Sequence, residues 1–268
     1  MRRALIGLAL LAAAVAVFLA VRALRGGRAY HSTDGASLIH FTLHSRDVGH
    51  DLHEILVRPA RGNGRFLLVL LHGRSASPSS WLSQPFFDEL RALGPRAPAV
   101  LLLDGGNHSY WHDRRDGRWG TMVLDEAIPA GLARTRVAKV AIGGISMGGF
   151  GALELAAQHP NRFCAVGAHS PALWESAGQT ASGAFDDAAD FARNDLLGAA
   201  KQRALYGSRV WLDAGSDDPF RAADDTFVRR LRLQDEQLVA HTWPGGPTTG
   251  YWRSHIAQYL RFYATACG

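Results

Sequence analysis

Short apolar runs alternate with longer segments of helical period from residue 38 to the end of the chain. Residues 38–43 alternate apolar and polar side chains, the period-2 pattern of a half-covered strand. Residues 54–58 (EILVR) predict a second strand that stops at Pro59. Residues 66–71 (FLLVLL) form a continuous apolar run of strand length, as expected for a strand covered on both faces. Residues 100–103 read as the next buried strand, and 137–142, 165–168, 210–213 and 239–243 as further strands. Helical period marks residues 78–93, 122–134, 150–159, 221–236 and 251–263. Residues 107–120 read as a polar, aromatic-rich loop, and 178–205 as a set of short helices over the site. Strands alternating with helices predict an α/β fold, with a mostly parallel central sheet, flanking helices and right-handed crossovers. In such sheets chemistry gathers at the C-terminal ends of the strands.

The first 29 residues stand apart. Arg2 and Arg3 precede eighteen uncharged residues, 4–21, and Arg22, Arg25 and Arg28 follow. That length lies at the border between a signal-peptide core and a membrane span. The basic flank disfavours cleavage, so residues 1–29 are expected to be a signal anchor in preference to a signal peptide, followed by one domain over 30–268. The domain is then expected outside the cytoplasm, anchored to the membrane or secreted. A hydrophobic content of 47% with 20% charged residues fits a globular body. The net charge of +5 carries no partner information. Five arginines and no acidic residue fall in residues 1–29, so of 29 basic residues 24 remain for the body, matching its 24 acidic ones. Nucleic-acid binding is not indicated. Cys164 and Cys267 sit in no metal-ligand spacing and read as separate thiols; in an extracytoplasmic domain they could bridge a central strand to the C-terminus. No metal or other cofactor is expected.

Gly144-Ile145-Ser146-Met147-Gly148 carries the chemistry. It follows an apolar strand and opens a helix, the context of a nucleophile elbow. Flanking glycines let strand and helix approach closely. The helix N-terminus offers free N–H groups where an oxyanion would form. A serine nucleophile needs a base, and the base an orienting acid, in the chain order Ser, Asp or Glu, His. The acid is expected in the turn after the strand at 210–213, with Asp218 preferred to Asp217 and then Asp213. Turn and capping chemistry is the structural alternative. His108, Tyr110, Trp111, His112 and Trp119 are candidate substrate contacts from the 107–120 loop, with Trp174 and His169 nearby; ordinary packing is the competing reading.

The elbow at Ser146, the segment LDAGSDDPF (212–220) and the C-terminal YWRSHIAQYLRFYA resemble the putative-esterase branch of the α/β-hydrolases. That branch includes esterase D, feruloyl-type esterases and the antigen 85 acyltransferases. The resemblance covers about residues 35–265 and takes in His72-Gly73-Arg74. It implies a serine esterase acting through an acyl-enzyme on a small-molecule or lipid ester, with the Arg74 and Met147 amides as oxyanion donors. An acyltransferase, or an inactive hydrolase-fold binding or scaffold protein of the cell envelope, is the alternative. One position departs from the pattern. Relatives carry the catalytic histidine in a Gly-Gly-His segment, and this chain reads Gly245-Gly246-Pro247. Proline cannot take up a proton. His255, eight residues on, is the candidate substitute base, against a structural role for the same ring.

Overall fold

The computed structural model describes residues 29–268, so the apolar run at 4–21 lies outside the described residues. Among the described residues, no helix is long and apolar enough to cross a membrane. Residues 32–268 form one compact unit.

Its strands are β1 (Ser37–His44), β2 (Asp51–Arg58), β3 (Leu67–Leu71) and β4 (Ala99–Leu103), then a two-residue-per-strand hairpin, β5 (Asp113–Arg114) and β6 (Gly117–Arg118). After these come β7 (Val140–Ile145), β8 (Ala165–His169), β9 (Arg209–Gly215) and β10 (Leu238–Trp243). Eight of them form one sheet in the order β1-β2-β4-β3-β7-β8-β9-β10. β1 and β2 pair antiparallel, β2 pairs antiparallel with β4, and every further pairing is parallel. The doubly covered strands β3, β4, β7 and β8 are buried at every position, which is why their sequences are apolar or glycine throughout, save His169 at the end of β8. The edge strand β1 alternates between exposed and half-buried positions, as its period-2 sequence requires.

The helices are α1 (Gln84–Leu93), α2 (Ile128–Thr135), α3 (Met147–Gln158), α4 (Ala188–Arg193), α5 (Leu196–Gln202), α6 (Arg221–Leu233) and α7 (Thr249–Cys267). Two differ from their expected form for identifiable reasons. The segment at 78–93 splits into a 3-10 turn, Pro78–Trp81, and α1, because Ser83 is extended (φ −150°) and Pro85 favours a fresh helix start. The segment at 122–134 enters α2 through a π-helical stretch, Met122–Ala127. Pro129 has no N–H to give the carbonyl four residues back, and a local π stretch absorbs the mismatch.

Alternate residues of β7 face opposite layers, and glycine is needed on both sides. A Cβ on Gly144 would lie 2.1 Å from the Gly148 carbonyl oxygen, which fixes α3 against one face. A Cβ on Gly143 or Gly167 would lie 1.9 Å from the Tyr263 hydroxyl, which seats α7 on the other. Cys164 and Cys267 form a disulfide that ties the entry to β8 to the end of α7. The expectation of two separate thiols is therefore corrected. A 103-residue separation gave no hint that α7 returns across the sheet to meet β8.

Candidate active site

β7 runs straight into α3, and the single residue between them is Ser146. Its backbone sits at φ 54°, ψ −113°, a conformation that L-residues rarely adopt. Three backbone hydrogen bonds hold it there. The Ser146 N–H donates to the His169 carbonyl (3.0 Å), and its own carbonyl accepts from Phe150 (3.0 Å) and Ala172 (3.1 Å). Gly148 is indispensable to the bend, since a Cβ there would meet the Leu71 carbonyl oxygen at 2.1 Å. Strain at a residue whose side chain faces a cavity is the mark of a nucleophile elbow.

The turn after β3 comes alongside. A Cβ built on Gly73 would lie 3.6 Å from the Ser146 Cβ. His72, fully buried, shapes that turn: its Nδ1–H donates to the Gly73 carbonyl (2.8 Å), and its Nε2 accepts from the Gly105 amide (3.1 Å). Those two partners fix a neutral tautomer, and burial lowers the ring's pKa, so His72 is a structural strut. The amides of Arg74 and Met147 donate to no acceptor among the described residues. They flank Ser146 from the two sides, one on the β3 turn and one at the first residue of α3.

Ser146 opens onto a cavity of about 260 Å³, walled by Gly73, Arg74, Trp81, Ile145, Trp252 and Arg253 among others. Among the described residues no histidine lines it. Pro247 lies in the loop after β10, which is tied to the turn after β9: Ser216 N–H donates to the Trp243 carbonyl and Asp217 N–H to the Gly245 carbonyl, both at 2.8 Å. Asp218 belongs to that same turn and is 6% exposed. One of its carboxylate oxygens accepts from the Phe220 amide (2.9 Å); the other is buried without a hydrogen bond, and so is the neighbouring Ser170 hydroxyl. Burial pushes the Asp218 carboxyl upward and the Asp213 charge adds to it, while the Phe220 amide holds it back; the Ser170 hydroxyl lies close by, outside good hydrogen-bond geometry. Asp218 thus stands as an acid with one face unengaged, beside a loop that presents proline.

His255 does not face the cavity. Thr249, Trp252, Arg253 and Ile256 cover the cavity face of α7, and His255 turns aside to stack on Trp243 at 4.0 Å. The expectation of a substitute base at this residue therefore finds no support in its placement. The loop candidates are likewise relocated. Trp111 is fully buried and donates to the His72 carbonyl (3.1 Å); Tyr110 packs with Phe150, Trp174 and Phe185; His112 pairs with buried Asp190 (3.1 Å). Trp119 packs beneath Gly106 and Gly117, and His108 is exposed near Asp116. None of the five lines the cavity, because the loop folds its aromatic rings into the core. The short helices of 178–205 also leave the cavity wall uncovered; α5 packs on α6 and α3.

Asp213 and His169 form something the sequence left unread. Asp213 is fully buried and accepts four hydrogen bonds: from His169 Nδ1 (2.7 Å), Trp211 Nε1 (2.7 Å), and the Tyr251 (3.0 Å) and Tyr259 (2.9 Å) hydroxyls. His169 Nε2 accepts from Tyr263 (3.2 Å), and its ring stacks on Tyr259 at 3.5 Å. The carboxylate's proximity, after burial, raises the pKa of both tyrosines and keeps them protonated donors. This network joins β8, β9 and α7 behind the cavity, so Asp213 has no oxygen to spare for a base. Three tyrosines in register on a C-terminal helix were its only sequence signal.

Comparison with known proteins bears on the family and the fold. The profile of a family described as Putative esterase matches residues 112–263. A solved ferulic acid esterase superposes with a TM-score of 0.72 at 20% identity, over 86% of this chain and 99% of its own. An S-formylglutathione hydrolase from Agrobacterium tumefaciens gives 0.75 at 16% identity, over 89% and 98%. MPT51 of Mycobacterium tuberculosis gives 0.69 at 22% identity, over 87% and 99%. No curated protein matches the chain by sequence.

Proposed function

Since the chain belongs to the Putative esterase family of the α/β-hydrolases, we propose that it is a serine hydrolase of carboxylic esters in which Ser146 takes the acyl group. The observation that carries this reading is the strained Ser146 elbow, at φ 54°, facing a cavity between two unengaged amides. Ser146 Oγ attacks the ester carbonyl, and the oxygen that gains charge accepts from the Arg74 and Met147 N–H groups. The tetrahedral species collapses by expelling the alcohol, and water then releases the acid.

The serine proton is the weak point. A positioned base contributes about 10²- to 10⁴-fold, and Pro247 supplies none. With no imidazole on the cavity wall, the proton passes to water. The reading is therefore an acylatable serine of low turnover, responsive to activated esters. The Cys164–Cys267 bridge supports folding in an oxidising compartment, and residues 1–29, read as an anchor or signal segment, would deliver the domain there. A fluorophosphonate probe tests the central claim: wild type should label stoichiometrically and Ser146→Ala should not. Absence of label on folded wild type would overturn it. The absence of histidine from the cavity wall favours a second reading, a binding or scaffold protein of the same descent, and that outcome would select it.

A further inference from the structure

The cavity in front of Ser146 has a chemical bias that ester hydrolysis alone does not call for. Two arginines line it and no carboxylate does. Arg74 lies close to the Tyr110 hydroxyl. Arg253 makes no ion pair and no side-chain hydrogen bond among the described residues, and its Nε–H is buried without a partner. Three more buried donors on the same wall are unpartnered: the indole N–H groups of Trp81 and Trp252 and the hydroxyl of Ser83. Trp81 is 3% exposed and Ser83 1%, and their polar atoms are turned into the wall and away from the open space. Indole and guanidinium N–H groups donate and cannot accept. A guanidinium on a largely apolar wall with no carboxylate to neutralise it favours an anionic ligand. These four groups come from two separate segments, 81–83 and 252–253, brought together only around this cavity. Ile145 and Ile256 complete an otherwise apolar wall.

We propose that the cavity receives an acyl group that carries its own carboxylate, so that the substrate is the hemiester of a short dicarboxylic acid. This rests on the reading of Ser146 as the acylated residue. At roughly 30 Å³ per water-sized group, 260 Å³ holds about nine; an acyl chain of about four or five carbons with a terminal carboxylate matches that space. The carboxylate pairs with the Arg253 guanidinium while its methylenes lie against the isoleucines. The Ser146 Oγ–carbonyl carbon bond forms as the Ser146 proton passes to water, the bond to the alcohol oxygen breaks, and the alkoxide leaves, taking a proton from water where its basicity requires one. Water then adds to the acyl-enzyme, and the dicarboxylic acid leaves as the Ser146 hydroxyl is restored. The terminal carboxylate is unchanged throughout.

The test compares p-nitrophenyl hydrogen glutarate with p-nitrophenyl valerate, esters of equal acyl length and identical leaving group, by the rate of p-nitrophenolate release in the acylation phase. The glutarate hemiester is expected to react at least ~10-fold faster, and Arg253→Met to lower that ratio at least ~10-fold, as loss of a charge-assisted contact would. Arg96→Gln, an exposed control elsewhere, should leave the ratio alone. A third ester, 4-acetoxybenzoate, places the anion on the alcohol side; dependence on Arg253 for that ester alone overturns the acyl assignment. Calorimetric titration of glutarate into Ser146→Ala reads the pocket without chemistry, and Arg253→Met should weaken it ~10-fold. Glutarate binding without acylation by any ester upholds the carboxylate site and sinks the esterase reading. Equal acylation by both p-nitrophenyl esters, with no glutarate binding, sinks the carboxylate site and leaves the esterase reading intact.

Discussion

Pro247→His is the most informative single change in this molecule. Residue 247 is held from both sides. Upstream, the Gly245 carbonyl accepts from Asp217 (2.8 Å); downstream, the Thr248 N–H donates to the Gly246 carbonyl (2.7 Å), and the Thr248 hydroxyl caps α7 by accepting from Tyr251 (3.2 Å). Asp218, in the turn tied to this loop, has one carboxylate oxygen buried and unbonded. An imidazole at 247 would give that oxygen its missing donor through Nδ1–H and turn Nε2 toward the serine. A general base in place is worth about 10²- to 10⁴-fold, or roughly 3–5 kcal/mol at 1.36 kcal/mol per decade. Stopped-flow hydrolysis of p-nitrophenyl butyrate should therefore speed up at least ~100-fold. The gained rate should rise with pH through the pKa of the new histidine, because only the neutral ring accepts a proton. Ionised Asp218 would set that midpoint above the unperturbed value of about 6.5. Asp218→Asn should change little in the native background, where there is no base to orient, and erase most of the gain in the Pro247→His background. A folded Pro247→His protein that labels with fluorophosphonate but reacts no faster would refute the argument, and so would a gain indifferent to Asp218.

Three further outcomes follow from the structure. Cys267→Ser opens a loop of 103 residues, whose closure corresponds to about 4–5 kcal/mol in the chain-entropy account; thermal unfolding should shift down by roughly 8–20 °C. Glu154 is buried on α3, and burial pushes its carboxyl up to about 7. The folded protein then holds this proton at pH values where the unfolded chain has released it, so stability falls as pH rises from about 4.5 to 7, by about 3 kcal/mol; in Glu154→Gln, urea denaturation across pH 5 to 8 should show that decline reduced by a similar amount. Because Ser146 is held at positive φ, Ser146→Gly should exceed Ser146→Ala in stability by about 1 kcal/mol, the relieved strain being partly offset by glycine's freedom in the unfolded chain; equal urea midpoints for the two would remove the strain argument.

Strand identity was written locally, and so it was read correctly. An apolar run such as residues 67–71 has only one use in a chain that alternates with helices, a strand covered on both faces. The elbow was legible for the same reason, since strand, Gly-x-Ser-x-Gly and helix are contiguous. Element ends were less so: β7 begins at Val140 and runs to Ile145, because pairing with β3 and β8, not its own composition, sets where the strand starts. The aromatic loop was misjudged because Tyr110, Trp111 and Trp119 have the same composition whether they line a cleft or fill a core; long-range partners such as His72 and Phe185 decided for the core.

By itself the sequence determined the α/β architecture, the placing of Ser146 at the C-terminal end of a strand and the proline at residue 247, all properties of neighbouring residues. Only the tertiary structure decided the rest. It joined Cys164 to Cys267, buried Asp213 among four donors, turned His255 away from the cavity and brought an unpaired Arg253 onto its wall. Each of these depends on which face of α7 meets which strand. That choice is made by packing across more than a hundred residues, and no local pattern encodes it.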